Sequence, residues 1–234
     1  MVWKTTGLLS SVKKPNFFIA VLVSILVLPS NMDAQESDFG NWLIYIGSKK
    51  LSSKWNIHNE VQYRNYDVVG DLEQLLVRTG IGYNLSENNN NVLVGYGYIL
   101  SENYTQQTQE KIATNEHRIF QQFIANNRIG AVSLTHRYRF EQRFVEEDFK
   151  MRVRYFLAAK IPLIKFKDDL SMLYLSTYNE VFLNTKSAVF DRNRVYLGVG
   201  YQLNKQTRIE AGYMNQLFES SSRDQFNLMT LIAF

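Results

Sequence analysis

Residues 134–144 read LTHRYRFEQRF. Leu134, His136, Tyr138 and Phe140 share one parity, while Thr135, Arg137, Arg139, Glu141 and Arg143 share the other. Successive side chains of a strand point to opposite faces, so this stretch is a strand with one apolar and one charged face. A helix would need its apolar residues three and four apart. The alternation settles the local structure and raises the question that decides the fold: which face meets water.

The pattern recurs along the chain. In residues 54–67, KWNIHNEVQYRNYD, Trp55, Ile57, Val61 and Tyr63 oppose Asn56, His58, Glu60, Gln62 and Arg64. Residues 149–158 set Phe149, Met151, Val153, Tyr155 and Leu157 against Lys150, Arg152 and Arg154. Residues 191–203 set Val195, Leu197, Val199, Tyr201 and Leu203 against Arg192, Arg194, Tyr196, Gly198, Gly200 and Gln202. Polar breaks rich in Asn, Asp, Ser, Lys and Gly separate such stretches, as turns require. Eleven strands are expected, at 39–48, 54–66, 72–85, 92–101, 113–125, 130–143, 149–161, 170–183, 191–203, 207–218 and 225–234. Neither parity of 113–125 or 170–183 is cleanly apolar, so a bulge or a shifted boundary is expected there.

Composition narrows the classes. Of 234 residues, 45% are apolar and 21% charged, with 14 Tyr, 15 Phe and only 3 Pro. There is no Cys, which excludes disulfides, thiolate metal sites, cysteine nucleophiles and lipidation on Cys. The formal net charge is +4, and residues 1–34 hold three Lys and one Asp, leaving +2 for the remainder. No basic run appears, so nucleic acid is not an expected partner.

Lys13 and Lys14 precede the uncharged run FFIAVLVSILVL at 17–28, and Ala34 offers a small residue for cleavage. A run this short reads as a signal peptide, since a spanning helix needs about 20 residues. The expected organisation is a signal peptide at 1–34, an N-terminal segment with a first strand at 35–53, and a barrel at 54–234. No later apolar run reaches the roughly 18 residues of a membrane helix.

A soluble barrel hides its apolar face, whereas a membrane barrel turns it outward because lipid cannot hydrogen-bond a guanidinium. Length separates the two. Membrane strands need about 9–11 residues against the 5–6 of globular strands, and most segments here meet the longer figure. Aromatic residues also gather toward segment ends, at Trp55, Tyr83, Tyr201 and Phe234 and at Tyr63 and Tyr213, as interfacial girdles do. The expected fold is all-β, an antiparallel transmembrane β-barrel of 10–12 strands in the outer membrane of a Gram-negative bacterium.

The chain closes on QFNLMTLIAF, with Phe226, Leu228, Thr230, Ile232 and Phe234 on one face. This ending resembles the C-terminal signal read by the barrel assembly machinery. The stretches DFGNWLIYIGSKKLSSKWNIHNEVQYRNYD, DLEQLLVRTGIGYNL, NEHRIFQQF and HRYRFEQRF resemble Bacteroidetes-type outer-membrane proteins of domain-of-unknown-function family 2490. The similarity covers roughly residues 38–234. It implies an outer-membrane barrel and no particular activity.

One strand does not fit an even meander. With Phe234 at the periplasmic end, the ten strands from Lys54 onward form a closed set, and the eleventh, FGNWLIYIG, runs the wrong way. It would fold inside the lumen, pair in parallel with the last strand, or signal a strand not recognised.

The interior charges are the main candidate site. Glu60, Arg64, Arg78, Arg137, Arg139, Glu141, Arg152, Arg154, Arg192, Arg194, Arg208 and Glu210 are expected to line the lumen, with Arg118 and Glu116 beside them. A symmetric turn at 144–148 sets Glu141 opposite Arg152, Arg143 opposite Lys150 and Arg139 opposite Arg154. Such a lining suits an anion-attracting narrow channel or small-solute transporter, or a salt-bridged plug in a structural or partner-binding barrel. A turn near Asn88 sets Gly80 opposite Gly97 and Gly82 opposite Gly95, and a turn at 204–206 sets Gly198 opposite Gly212. These glycines would bend the sheet, make room for large side chains or form a solute groove. Three scattered His and no Cys argue against a transition-metal site. His136, on the apolar face, leaves a lipid-modifying enzyme as a third reading, with Ser133 on the opposite face. No catalytic residue or cofactor is assigned. Outer-membrane lipid, the assembly machinery, and a small solute or envelope protein are the expected partners.

Overall fold

A computed structural model describes residues 39–67, 70–86, 90–105, 110–165, 172–186 and 188–234. The signal peptide expected at 1–34 lies outside the described residues. Eleven strands follow in chain order: β1 (Gly40–Lys50), β2 (Trp55–Asn65), β3 (Leu72–Asn84), β4 (Asn90–Tyr104), β5 (Lys111–Ile129), β6 (Val132–Val145), β7 (Asp148–Lys165), β8 (Met172–Asn184), β9 (Phe190–Gln202), β10 (Thr207–Leu217) and β11 (Ser222–Ala233). They form one closed barrel in which each strand pairs with its sequence neighbours and β1 meets β11.

The barrel is not wholly antiparallel. β1 and β11 pair in parallel, with Leu43 opposite Leu228 and Tyr45 opposite Thr230. The reason is geometric: in an up-and-down meander of eleven strands, the first and last run the same way and can close the ring only in parallel. The side chains of β1 suit that place. Trp42 and Ile44 are buried inside, at 2% and 8% exposure, while Leu43 between them faces outward at 43%. A strand apolar on both faces is the usual pattern for parallel pairing. Phe234 is pinned by the same seam, donating its N–H to Ser48 O at 2.8 Å and accepting from Lys50 N at 3.2 Å. The start of β1 therefore lies at the end of the barrel opposite Phe234, beside the start of β11.

The faces sort by chemistry. Val77, Ile81, Val94, Ile119, Leu197 and Val199 are exposed on the outer wall. Their neighbours Arg78, Leu93, Arg118 and Tyr196 are buried within it. Inside, the β1 side holds an apolar cluster of Trp42, Ile44, Tyr196, Met214 and Met229. Arginines and carboxylates occupy much of the rest.

Two register expectations change. Gly80 faces Gly95, Arg78 faces Gly97 and Gly82 faces Leu93, two residues away from the expected alignment. Gly198 does face Gly212. These glycines do not leave a groove. A Cβ at Gly95 would strike the Phe120 ring, one at Gly200 the Tyr174 ring and one at Gly198 the Tyr196 hydroxyl. They are seats for large interior side chains. β5 carries no register shift against β4 or β6 and runs to Ile129. Its mixed pattern comes from Phe120 turned inward and His117 turned outward. In β8 the expected irregularity does occur, between Phe182 and Leu183. Gly130, at φ +59°, supplies the left-handed residue of the tight β5–β6 hairpin.

Because the chain lacks Cys, single substitutions report sidedness cleanly. For a barrel that crosses a bilayer, as the sequence leads one to expect, Phe39→Cys and Glu219→Cys should react from one side of a sealed, oriented vesicle, and Lys205→Cys only from the other. Phe39→Cys reacting with the Lys205→Cys group would show that β1 runs the other way. Filling a seat should also cost stability: Gly95→Ala forces Phe120 out of its rotamer, at about 1–3 kcal/mol, read as a lower denaturant midpoint.

Candidate functional site: the charged lumen

Glu141 on β6 has no exposed surface. Hairpin register brings Arg152 opposite it and Arg154 opposite Arg139. Its Oε2 accepts from Arg152 Nη2 at 2.7 Å and Nε at 3.0 Å, and its Oε1 from Arg154 Nη1 at 2.7 Å. Arg118 and Arg139 add guanidinium nitrogens at 3.6 and 3.8 Å. One carboxylate thus anchors four arginines from three strands. Fork-shaped guanidiniums suit this role because each can serve two acceptors at once.

The network spreads from that point. Glu180 Oε1 accepts from Arg154 at 2.6 Å and Arg137 at 2.7 Å. Glu116 takes a two-bond contact from Arg143, at 2.7 and 2.9 Å, and one from Arg118 at 2.6 Å. Asp191 pairs with Arg152 at 2.7 Å and Arg192 at 3.3 Å. Glu60 holds Arg78 at 3.3 Å and His58 at 3.4 Å. Aromatic faces take up more of the charge: Phe182 lies under Arg152, Arg154 and Arg194, with centroid distances of 4.3–5.1 Å.

Among the described residues, two arginines deep in the lumen, Arg64 and Arg194, have no carboxylate within 4 Å. Arg64 donates to Gln62 Oε1, at 3.0 Å from Nε, and to Gln74 Oε1, at 2.6 Å, and lies 3.7 Å from the Trp42 ring centroid. Arg194 donates to Gln216 Oε1 at 2.9 Å and lies 4.8 Å from the same centroid.

At the opposite extreme of the expected set, Arg208 is half-buried on the face of Glu210. Glu210 takes its hydrogen bonds from Tyr174 Oη and Ser176 Oγ, both at 2.8 Å. Of the proposed assembly signal, Phe226, Leu228 and Phe234 are exposed, while Thr230 and Ile232 are half-buried. His136 Nδ1 lies 2.9 Å from Tyr155 Oη on the outer wall. Tyr155 is thus its bonding partner, in place of the serine that an acyl-transfer site would need. At the rim, burial pushes the Asp71 carboxyl up, but hydrogen bonds from Lys111 and Tyr104 outweigh it and hold the group below its ordinary value.

Several members escaped the sequence reading. Glu180 lies in β8, whose parities are mixed, and Asp191 and Glu73 sit at strand ends where alternation fades. Trp42 and Phe182 are aromatic residues inside the wall, a role that period two alone cannot distinguish from lipid facing.

A family model described as a protein of unknown function (DUF2490) matches residues 39–227. The chain belongs to that family. The DUF2490 match begins just before β1 and ends within β11, so the parallel closing strand lies inside the family's bounds. An uncharacterized protein of Methylorubrum extorquens is 30% identical over 208 residues, covering 84% of this chain and 87% of the relative. No solved structure matches.

Glu141→Gln removes the charge that four guanidiniums share. Breaking a buried pair costs about 3–5 kcal/mol, so the urea midpoint should fall sharply. An unchanged midpoint would mean that the pairs contribute little to stability.

Proposed function

We propose that this DUF2490 protein is an outer-membrane β-barrel with a closed lumen, acting as a membrane-embedded binding or scaffold protein. The membrane reading is supported by the outer wall, where Val77, Ile81, Val94 and Val199 are each more than 40% exposed. Contiguous apolar surface of this kind is rare on soluble monomers. Strands of 11–19 residues exceed what a bilayer crossing needs. Outer-membrane lipid is then the solvent of the outer wall, and the exposed end of β11 is the segment offered to the assembly machinery.

The observation that carries the closed reading is the packing across the bore. Arg139, Glu141, Phe120, Tyr174 and Tyr196 are all at most 2% exposed. They come from four different strands, β5, β6, β8 and β9, and point into the interior of a narrow barrel. Paired charges and seated rings favour a filled bore over an open pore.

A channel remains the second reading because arginines line a basin at one end of the lumen. Planar-bilayer recording separates the two. The closed lumen predicts no stepwise conductance from the purified full chain. Steps of uniform size that change with Arg152→Ala would replace it with an anion channel.

A further inference from the structure

The charges inside the barrel do not balance. The connected network holds eleven arginines: Arg137 and Arg139, and the nine that line the basin. Six carboxylates meet them: Glu60, Glu73, Glu116, Glu141, Glu180 and Asp191. The surplus is five positive charges. A buried ion without a counter-charge costs several kcal/mol even after relaxation, so a surplus of this size calls for anions from outside the chain.

The structure also shows where they would go. A basin of about 270 Å³ lies toward the end opposite Phe234 and shares Arg118, Arg152, Arg154 and Glu116 of its lining with the ion-pair network. That is just under the usual size of a small-molecule site. Its wall includes Arg64 and Arg194, which have no carboxylate within 4 Å among the described residues and are 6% and 7% exposed. Arg192 and Arg223 line it too, and each has buried N–H groups without an acceptor. The aromatic faces of Trp42 and Phe182 and the amides of Gln62, Gln74 and Gln216 hold the guanidiniums of Arg64 and Arg194 in position, while Arg192 and Arg223 supply donors without an acceptor. Preset forks with open donors, in a partly desolvated pocket, are the chemistry of phosphate recognition.

We propose that this basin is a binding site for a multiply charged phosphate anion, held chiefly by Arg64, Arg192, Arg194 and Arg223. A free phosphorylated solute and the phosphate of a glycolipid headgroup present the same chemistry. The basin ends blind under the closed-lumen reading, but the site does not depend on it. Conductance would defeat that reading and leave phosphate binding intact.

Inorganic pyrophosphate is the probe, titrated into the full chain refolded in a phosphate-free detergent. Trp42 reports directly, because its ring carries the guanidiniums of Arg64 and Arg194, and Trp3→Phe with Trp55→Phe leaves it the one tryptophan of the chain. The expected result is a saturable change in Trp42 emission and a higher melting temperature, neither reproduced by chloride at the same ionic strength. Arg64→Gln and Arg194→Gln should each weaken binding at least tenfold. Arg64→Lys, which keeps the charge and the fold but loses the fork, should weaken it measurably. Lys205→Gln, in a turn at the other end, should leave it unchanged. Vesicles with and without bisphosphorylated lipid A form the second arm: a response confined to the lipid A vesicles assigns the anion to a headgroup. Absence of any response in both arms, or equal stabilisation by chloride, overturns the proposal.

Discussion

Glu141 sits inside the barrel with no exposed surface and four guanidiniums within 4 Å. Much of the architecture follows from keeping that group satisfied. Such a cluster tolerates neither hydrocarbon nor an incomplete set of partners, so the strands that carry it must close into a ring with the charges inside. Closure then turns the other parity outward, where it is apolar. Much of the interior is consequently occupied by side chains. Rings seat on glycines, carboxylates bridge strands, and Phe182 and Trp42 take up guanidinium faces that carboxylates do not reach.

Closure itself depends on β1. An odd meander leaves its first strand parallel to its last, and β1 is the strand apolar on both faces. It also divides the lumen. Trp42, Ile44 and Met229 form a greasy side, and the arginines gather across from it. Trp42 touches both regions, because its ring packs in the apolar cluster and also carries Arg64 and Arg194. The uncompensated positive charge therefore sits where the greasy side meets the basin.

The strands were legible in the sequence because period two is read locally. All eleven appear near their expected bounds, and the β6–β7 register follows from a two-residue turn, placing Glu141 opposite Arg152. What the sequence could not express was long-range or mixed. The parallel pairing of β1 was one of three readings, since a strand's partner 185 residues away leaves no local trace. Glu180 was lost in a strand with two mixed faces. The register of the β3–β4 hairpin slipped by two because the centre of its turn could not be placed from polar residues alone. Arg64 and Arg194 were expected in the lumen, but their lack of carboxylates is a property of neighbours on other strands.

The sidedness of the wall is the claim on which the rest stands, and it can be measured without knowing any ligand. Nitroxide labels placed singly at Ile81, Val94 and Val199, in protein reconstituted into lipid bilayers, report collisions with oxygen, which concentrates in hydrocarbon, and with a water-soluble nickel chelate. The expected result is high oxygen and low nickel accessibility at all three positions. Free access of the nickel chelate to these positions would place the apolar wall in water and contradict the assignment of a lipid-facing exterior around a charged core.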